Sequence, residues 1–222
     1  MVVHGRGLLK GIPRPKPSYT RGVGLFSRNR IPEGIDPKRL PPGQTLTAPE
    51  KWPLLHFGPV PKTDLATWTL QVYGEVENPV TLSYEQFKQL PTKEITADIH
   101  CVTAWSRLGD RWTGVPIQAL LELVKPKPEA HYVMAHCEYG YTTSVPLEVL
   151  DDDDVLLCTG WNGQDLSVEH GWPLRLLVPK KYLWKSAKWL RGLEFMTKNR
   201  LGFWEQRGYH DEADPWRETR YW

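Results

Sequence analysis

A mainly β or α+β fold, of many short strands and few short helices, is the architecture this sequence predicts. Three observations carry that expectation. Apolar and polar residues alternate over several short runs between Trp68 and Met196, the period of half-buried strands. The clearest helical stripe covers only Ile117 to Val124, with Leu120, Leu121 and Val124 on one face. There is no internal repeat and no Gly-rich phosphate loop of Rossmann or P-loop type.

Size and charge narrow the function classes. The 222 residues suit one large domain, and 11 Trp supply much of the apolar area needed for its core. A net charge of +2 gives no argument for nucleic-acid binding. No apolar run approaches the roughly 20 residues that span a bilayer. The three cysteines, Cys101, Cys137 and Cys158, do not form a disulfide framework and indicate a reducing compartment. Met1 to Lys10 has no apolar signal core, and no twin-Arg motif follows, so a cytoplasmic location is expected.

Residues 1–50 are rich in Gly, Pro and basic side chains, with no acid before Glu33. Pro13, Pro15 and Pro17 rule out a helix or central strand there. This stretch is expected to be an extended arm that wraps the domain or orders on a partner; a solvated tail is the alternative for residues 1–20. The domain proper is expected over residues 51–196. Trp52 to Pro59 is too aromatic for a tail and too Pro-rich for a regular element, which predicts a buried loop. Trp68 to Tyr73 reads as a half-buried strand, and Asn78-Pro79 as a turn. Ser83 with Gln86 forms a capping box that opens a helix through Leu90, before Pro91.

Next comes a strand that places Ile95, Ala97, Ile99 and Cys101 on one face and Thr96, Asp98 and His100 on the other. An aromatic, Gly-punctuated loop is expected after Cys101. Pro116 suits the first turn of the following helix. His131 to Cys137 and Tyr141 to Val145 are expected to pair as strands, with Pro146 to Leu150 a helical turn. Asp151 to Asp154 reads as a solvated cap, because consecutive carboxylates cannot converge on one ion. Asn162-Gly163 signals a hairpin between Val155–Thr159 and the run from Leu166. Pro173 to Val178 and Leu190 to Met196 complete the strands. Residues 197–222, with Trp204, Trp216 and Trp222, are expected to pack back as an aromatic tail.

Three features could carry chemistry. Cys101 arrives at a strand end beside polar groups, as a nucleophile or metal ligand would; a small buried hydrophobe is the alternative. His56 is either a ligand-facing donor or a core histidine. The third feature is a set of donors: His170, Arg175, Lys185, Ser186 and Lys188 lie within nineteen residues, among aromatic positions. Arg175 sits between Leu174 and Leu176, and a buried cation needs an anionic partner. That composition suits a phosphate or another compact anion. One thiolate with a distant anion site suggests a soft metal carried by a phosphorylated organic cofactor. The pairs His100-Cys101 and His136-Cys137 lack CxxC spacing, and strand neighbours face opposite ways, which argues against structural zinc.

Over Trp68 to about Phe195 the chain resembles the molybdopterin-binding domain of the sulfite oxidase family, especially its small single-domain bacterial branch, related to methionine-sulfoxide reductase catalytic subunits. The motifs that carry the likeness are Trp68-Thr69-Leu70 through Gly74, Cys101, Trp112-Thr113-Gly114-Val115-Pro116 and Asn162-Gly163. The most specific is His170-Gly171-Trp172-Pro173-Leu174-Arg175-Leu176-Leu177-Val178-Pro179, followed by Lys185-Ser186-Ala187-Lys188-Trp189.

The resemblance implies a sulfite oxidase-type fold and a molybdenum–molybdopterin cofactor, with Cys101 as the protein ligand to the metal. By the same carry-over, His56, Phe57, Gly58, Thr103, Cys137, His170, Arg175, Lys185, Ser186, Ala187 and Lys188 contact the cofactor. Trp105, Arg107, Tyr139 and Tyr141 are expected at the pocket rim; Arg107 would bind substrate oxygen, or else form a surface salt bridge. The implied activity is oxygen-atom transfer to or from a small sulfoxide, sulfite-like or other oxyanion substrate. With no haem-binding domain in the chain, an external electron-transfer partner is implied. An inactive cofactor carrier and a cysteine hydrolase are the alternatives.

Overall fold

The alternation in the sequence becomes eleven strands and three short α-helices among residues 33–222, the described part of a computed structural model. Residues 1–32 of the expected arm lie outside the described residues. In chain order the first elements are β1 (Thr45–Leu46), β2 (Thr69–Gly74), β3 (Val80–Ser83), α1 (Tyr84–Phe87), β4 (Lys93–His100), β5 (Trp105–Pro116) and α2 (Ile117–Val124). There follow β6 (Tyr132–Cys137), β7 (Thr142–Pro146), α3 (Leu147–Leu150), β8 (Leu156–Trp161), β9 (Gln164–Asp165), β10 (Arg175–Leu177) and β11 (Leu190–Met196).

They form two sheets. One runs β1-β5-β8-β10, with β4 also paired to β5 and β9 to β8. The other runs β3-β2-β11-β6-β7, where β11 is parallel to β2 and antiparallel to β6. The main apolar cluster draws on both. Leu70, Leu193 and Phe195 of the second sheet share it with Val115, Leu157 and Leu176 of the first and with Ile117, Leu120 and Val124 of α2. On α2 it is Ile117 that is fully buried, while the expected Leu121 is only partly so. A second cluster gathers Ile99, Trp112, Leu156 and Leu177. A third, smaller one joins Cys101 and Val102 to Tyr182, Trp184 and Ala213, and so ties the end of β4 to the C-terminal tail.

The local devices explain most boundaries. Ser83 and Gln86 make both bonds of the capping box, although α1 ends at Phe87 and does not reach Leu90. Asn162 and Gly163 both take positive φ, 49° and 81°, as the hairpin between β8 and β9 requires.

The loop expected after Cys101 is the main correction: it shrinks to Val102–Ala104, and the long strand β5 follows. Its glycines are strand glycines, not loop punctuation. Gly114 sits where β5 meets β8 so closely that a Cβ would collide with the Leu157 carbonyl. His100, expected on the polar face, is fully buried, with Nδ1 2.8 Å from Ser106 Oγ.

Leu193 is fully buried at the centre of the shared cluster. Leu193→Ala should destabilise the protein by about 2–5 kcal/mol, as a cavity-forming core truncation does. A urea titration would show a lower midpoint at unchanged slope.

A cationic, aromatic cavity beside Cys101

β4 delivers Cys101 to the tight turn Val102–Ala104, whose Ala104 takes φ 69°. The thiol lies on the wall of a cavity of about 450 Å³, within the range of small-molecule and cofactor pockets. Its sulfur meets the side chain of Thr103, Oγ1 at 3.1 Å, and the backbone of Val102 and Thr103. Burial pushes the thiol pKa up, opposed by the hydrogen bonds from Thr103 and by the charge of Arg220. Trp105 and Tyr141 also line the cavity, and the Tyr141 hydroxyl donates to the Trp184 carbonyl at 2.6 Å.

Opposite the thiol stands a group of cations. Arg175, on β10, is 2% exposed. It donates to the carbonyls of His170 at 3.0 Å and Ser186 at 2.8 Å, and no carboxylate pairs with it among the described residues. Its Nε is buried without a partner. Burial lowers its pKa to about 10, against the influence of Cys158, Tyr141 and Cys137. Lys188 Nζ donates to the Glu169 carbonyl at 2.6 Å. Burial and then the charge of Arg175 lower its pKa to about 7. Ser186 and Ala187 line the cavity between them.

His170 stacks on Trp52 with centroids 3.8 Å apart, and its Nδ1 meets Ser167 Oγ at 2.9 Å. Its pKa is lowered to about 4 by burial, then by the charges of Lys188 and Arg175. Its Nε2 is buried and unpartnered. His170 is not itself a wall residue; Trp52, between it and the cavity, is.

His56, Phe57 and Gly58 line the mouth. Their loop was expected to be buried, yet Leu54 and Leu55 are 54% and 61% exposed. It borders the open cavity, where Leu55 lines the wall, and so stays accessible. His56 Nδ1 donates to the Gly58 carbonyl at 2.9 Å, which bends the loop.

Besides His170, four expected site residues do not line the cavity. Arg107 spends its donors on Asp110, at 2.7 and 2.9 Å, and on the carbonyls of Ala48, Pro49 and Lys51, so none is left for a substrate. Lys185 is 1% exposed and bonded to Glu205 Oε1 at 2.6 Å, the Ser144 carbonyl at 2.7 Å and Asp211 Oδ1 at 3.2 Å. With its charge met by two acids, it ties the tail to the domain. Cys137, at the end of β6, is core, its thiol pKa pushed up by burial. Tyr139 is exposed, with its ring against Gly58 outside the rim.

Other wall residues went unnoticed in the sequence as site residues. Trp184 and Trp189 were visible only as aromatics among lysines, and Trp204 and Tyr209 as part of an aromatic tail. In the acidic run Asp151–Asp154, Asp152 and Asp154 pair with Lys180. Among the described residues no group of three or more His, Cys, Asp and Glu side chains is placed to bind a metal.

A family model described as the oxidoreductase molybdopterin binding domain matches residues 57–204. The chain belongs to that family. It is 47% identical over 184 residues to the uncharacterized oxidoreductase YuiH of Bacillus subtilis (strain 168), covering 82% of this chain and 92% of that protein. It is 30% identical over 151 residues to the putative protein-methionine-sulfoxide reductase subunit YedZ1 of Azospira oryzae, covering 68% of this chain and 57% of that one. Nitrate reductase [NADPH] of Emericella nidulans is 33% identical over 181 residues, where this chain spans 20% of the relative. The sulfane dehydrogenase SoxCD of Paracoccus pantotrophus shares the fold, with TM-score 0.62 and 23% identity over 76% of this chain and 48% of that one.

Membership makes the chain a molybdopterin-dependent oxidoreductase of the sulfite oxidase-like family, and its cofactor the molybdenum cofactor. The cavity fits that group. A buried, unpartnered Nε–H on Arg175 and two cations with no carboxylate partner among the described residues suit a phosphorylated pterin, and a single cavity-facing thiol suits a metal that brings its own sulfur ligands. No helix among the described residues is long and apolar enough to cross a membrane.

Arg107→Ala would leave Asp110 buried and unpaired. It should cost about 3–5 kcal/mol of stability, as breaking a buried pair does, and leave the KM of the loaded enzyme unchanged. A urea midpoint and a Michaelis–Menten curve measured side by side would separate this from a substrate-binding role.

Proposed function

We propose that this protein catalyses oxygen-atom transfer to or from a small substrate at a molybdenum centre ligated by Cys101. The observation that carries the reading is the pairing of one cavity-facing thiol with two cations, the buried Arg175 and the half-buried Lys188, that have no carboxylate partner among the described residues. When bound, the molybdenum cofactor supplies two-electron oxygen-atom exchange. The chain's own residues have separate tasks. Arg175 and Lys188 neutralise the phosphate, with the Ser186-Ala187 segment between them. The Trp52–His170 stack backs the pterin. Cys101 presents its sulfur to the metal, and Thr103 Oγ1 fixes the direction of that sulfur. His56, Phe57 and Gly58 border the entrance. Residues 51–196 act as the cofactor domain, and 197–222 as a tail closing one wall.

The walls favour an uncharged substrate. Trp105, Trp184, Trp204 and Tyr209 present aromatic surface, and Arg107 offers no free donor to an oxyanion. A sulfoxide, reduced with two electrons and two protons to a thioether and water, suits that lining better than sulfite or nitrate. The electrons come from a separate partner protein. A cytoplasmic setting accords with three cysteines that remain free thiols.

Protein purified from a cofactor-competent host should contain near-stoichiometric molybdenum, lost in Cys101→Ala. With an artificial electron donor it should reduce small sulfoxides. Binding of cofactor with no turnover of sulfoxide, sulfite or nitrate would mean a carrier, and turnover confined to sulfite or nitrate would overturn the uncharged-substrate reading.

The pKa of Lys188, lowered to about 7 by burial and by Arg175, sets a pH dependence. A phosphate favours its charged form and raises that pKa, so binding takes up a proton from about pH 7 up to the raised pKa of the complex. Affinity of the cofactor-free protein for a phosphorylated pterin should therefore fall as pH rises from about 7 to 9. Lys188→Met should weaken binding and flatten that slope, readable by fluorescence titration.

A further inference from the structure

The turn that carries Cys101 is held by both ends of the described chain. Inside the turn, Cys101 N–H donates to the Trp105 carbonyl at 2.8 Å, and Ala104 N–H donates to the Cys101 carbonyl at 3.0 Å. From outside, three of its carbonyls are gripped by other segments. Gln44 Nε2 donates to the Cys101 carbonyl at 3.1 Å. Arg220 Nη1 donates to the Val102 carbonyl. Thr45 donates to the Ala104 carbonyl through both its N–H and its Oγ1, each at 3.0 Å.

These grips are themselves fixed. Gln44 is 3% exposed, and its Oε1 accepts from Ser106 Oγ at 3.2 Å, whose oxygen also meets His100 Nδ1. The two segments brace each other as well. Trp216 Nε1 donates to the Lys38 carbonyl at 3.1 Å and its ring meets the edge of His100. A Cβ on Gly43 would lie 3.0 Å from Glu218 Oε1, the carboxylate beside Arg220 Nη2. Both segments lie outside residues 57–204, the part that matches the family.

We infer that Gln44 and Arg220 are positioning residues, which clamp the carbonyls of Cys101 and Val102 and so fix the direction in which the Cys101 sulfur meets the metal. The inference rests on Cys101 being the protein ligand. Groups behind a ligand that fix its orientation tune a metal without touching it. Here the groups hold backbone, so the sulfur's direction follows from the turn. Removing one loosens the turn while the core clusters around Leu193 and Trp112 stay intact.

The test uses the full chain carrying Gln44→Leu or Arg220→Met. Two readouts lie outside catalysis. In the loaded enzyme, the electron paramagnetic resonance spectrum of half-reduced molybdenum should change its g-values while molybdenum content stays near that of the parent. In the cofactor-free chain, iodoacetamide should modify Cys101 about tenfold faster, the change expected when one hydrogen bond of about 1.4 kcal/mol is lost, as followed by peptide mass spectrometry. Cys137 and Cys158, buried elsewhere, should react at the parent rate.

An unchanged Cys101 rate with an unchanged spectrum overturns the inference. So does acceleration of all three cysteines together, which reports general loosening. If Gln44→Leu does not fold, Arg220→Met and Thr45→Val decide the same question from the two sides of the turn. Molybdenum retained by Cys101→Ala would instead overturn the ligand assignment, and this inference with it; the alkylation pattern alone sinks only the clamp.

Discussion

Arg175 is a guanidinium enclosed by protein and answered only by carbonyl oxygens. Much of the surrounding architecture serves to hold it there. β10 is too short to be an independent strand and is fixed by β8, through the register Arg175 opposite Cys158. The carbonyls it uses come from the turn at His170 and from Ser186, so a single side chain joins the two halves of the cofactor motif. Trp52 lies over both Arg175 and His170 and brings the entrance loop into the same assembly. A charge this far from water without an anion is costly, and it is tolerable when an anionic group is the intended partner.

The same criterion separates the chain's buried and half-buried cations. Arg107, Lys185, Arg175 and Lys188 all looked alike as basic residues among aromatics. Arg107 and Lys185 meet their own acids, Asp110 for one and Glu205 with Asp211 for the other. Their work is structural: one fastens the segment around Lys51 to β5, the other fastens the tail to β7 and the cavity wall. Arg175 and Lys188 meet only carbonyls, and their pKa values are lowered by burial and, for Lys188, by Arg175 itself. That mutual repulsion would be relieved by an anionic group bound near them. Counter-ion inventory, not proximity in sequence, is what distinguishes a ligand-directed cation from a strut.

This also explains what the sequence disclosed and what it hid. Short-range signals were legible: the Ser83–Gln86 capping box, the Asn162-Gly163 hairpin, the helical stripe of α2 and the alternation of β2, β6 and β11. The donors from His170 to Lys188 could be read as an anion site because a long cation between leucines has few other uses. Long-range pairings could not be read. Gly109 and Gly114 mimic loop punctuation, so no sequence pattern sets Asp110 on a strand beside Arg107. Glu205 and Asp211 sit in a stretch with no periodicity, so nothing marked them as the acids for Lys185. Gln44 lies in a Pro-rich arm whose short pairing with β5 has no sequence signature.

The state of Cys101 weighs against one of the readings that its position left open. A cysteine hydrolase needs a thiolate at working pH and a base in contact with it. Here burial pushes the thiol toward its neutral form, and the side-chain group at the sulfur is a threonine hydroxyl. The nearest histidine in sequence, His100, directs its Nδ1 to Ser106, and burial lowers its pKa to about 4, against the weaker influence of Asp98. A metal removes the difficulty that burial creates, because it replaces the thiol proton and neutralises the thiolate where it stands. The features that make Cys101 a poor nucleophile, namely enclosure, aromatic walls and a turn clamped at three carbonyls, are those that make a fixed, unreactive ligand. With a metal bound there, the reactivity would belong to the metal, and the protein's contribution would be to keep its one sulfur still.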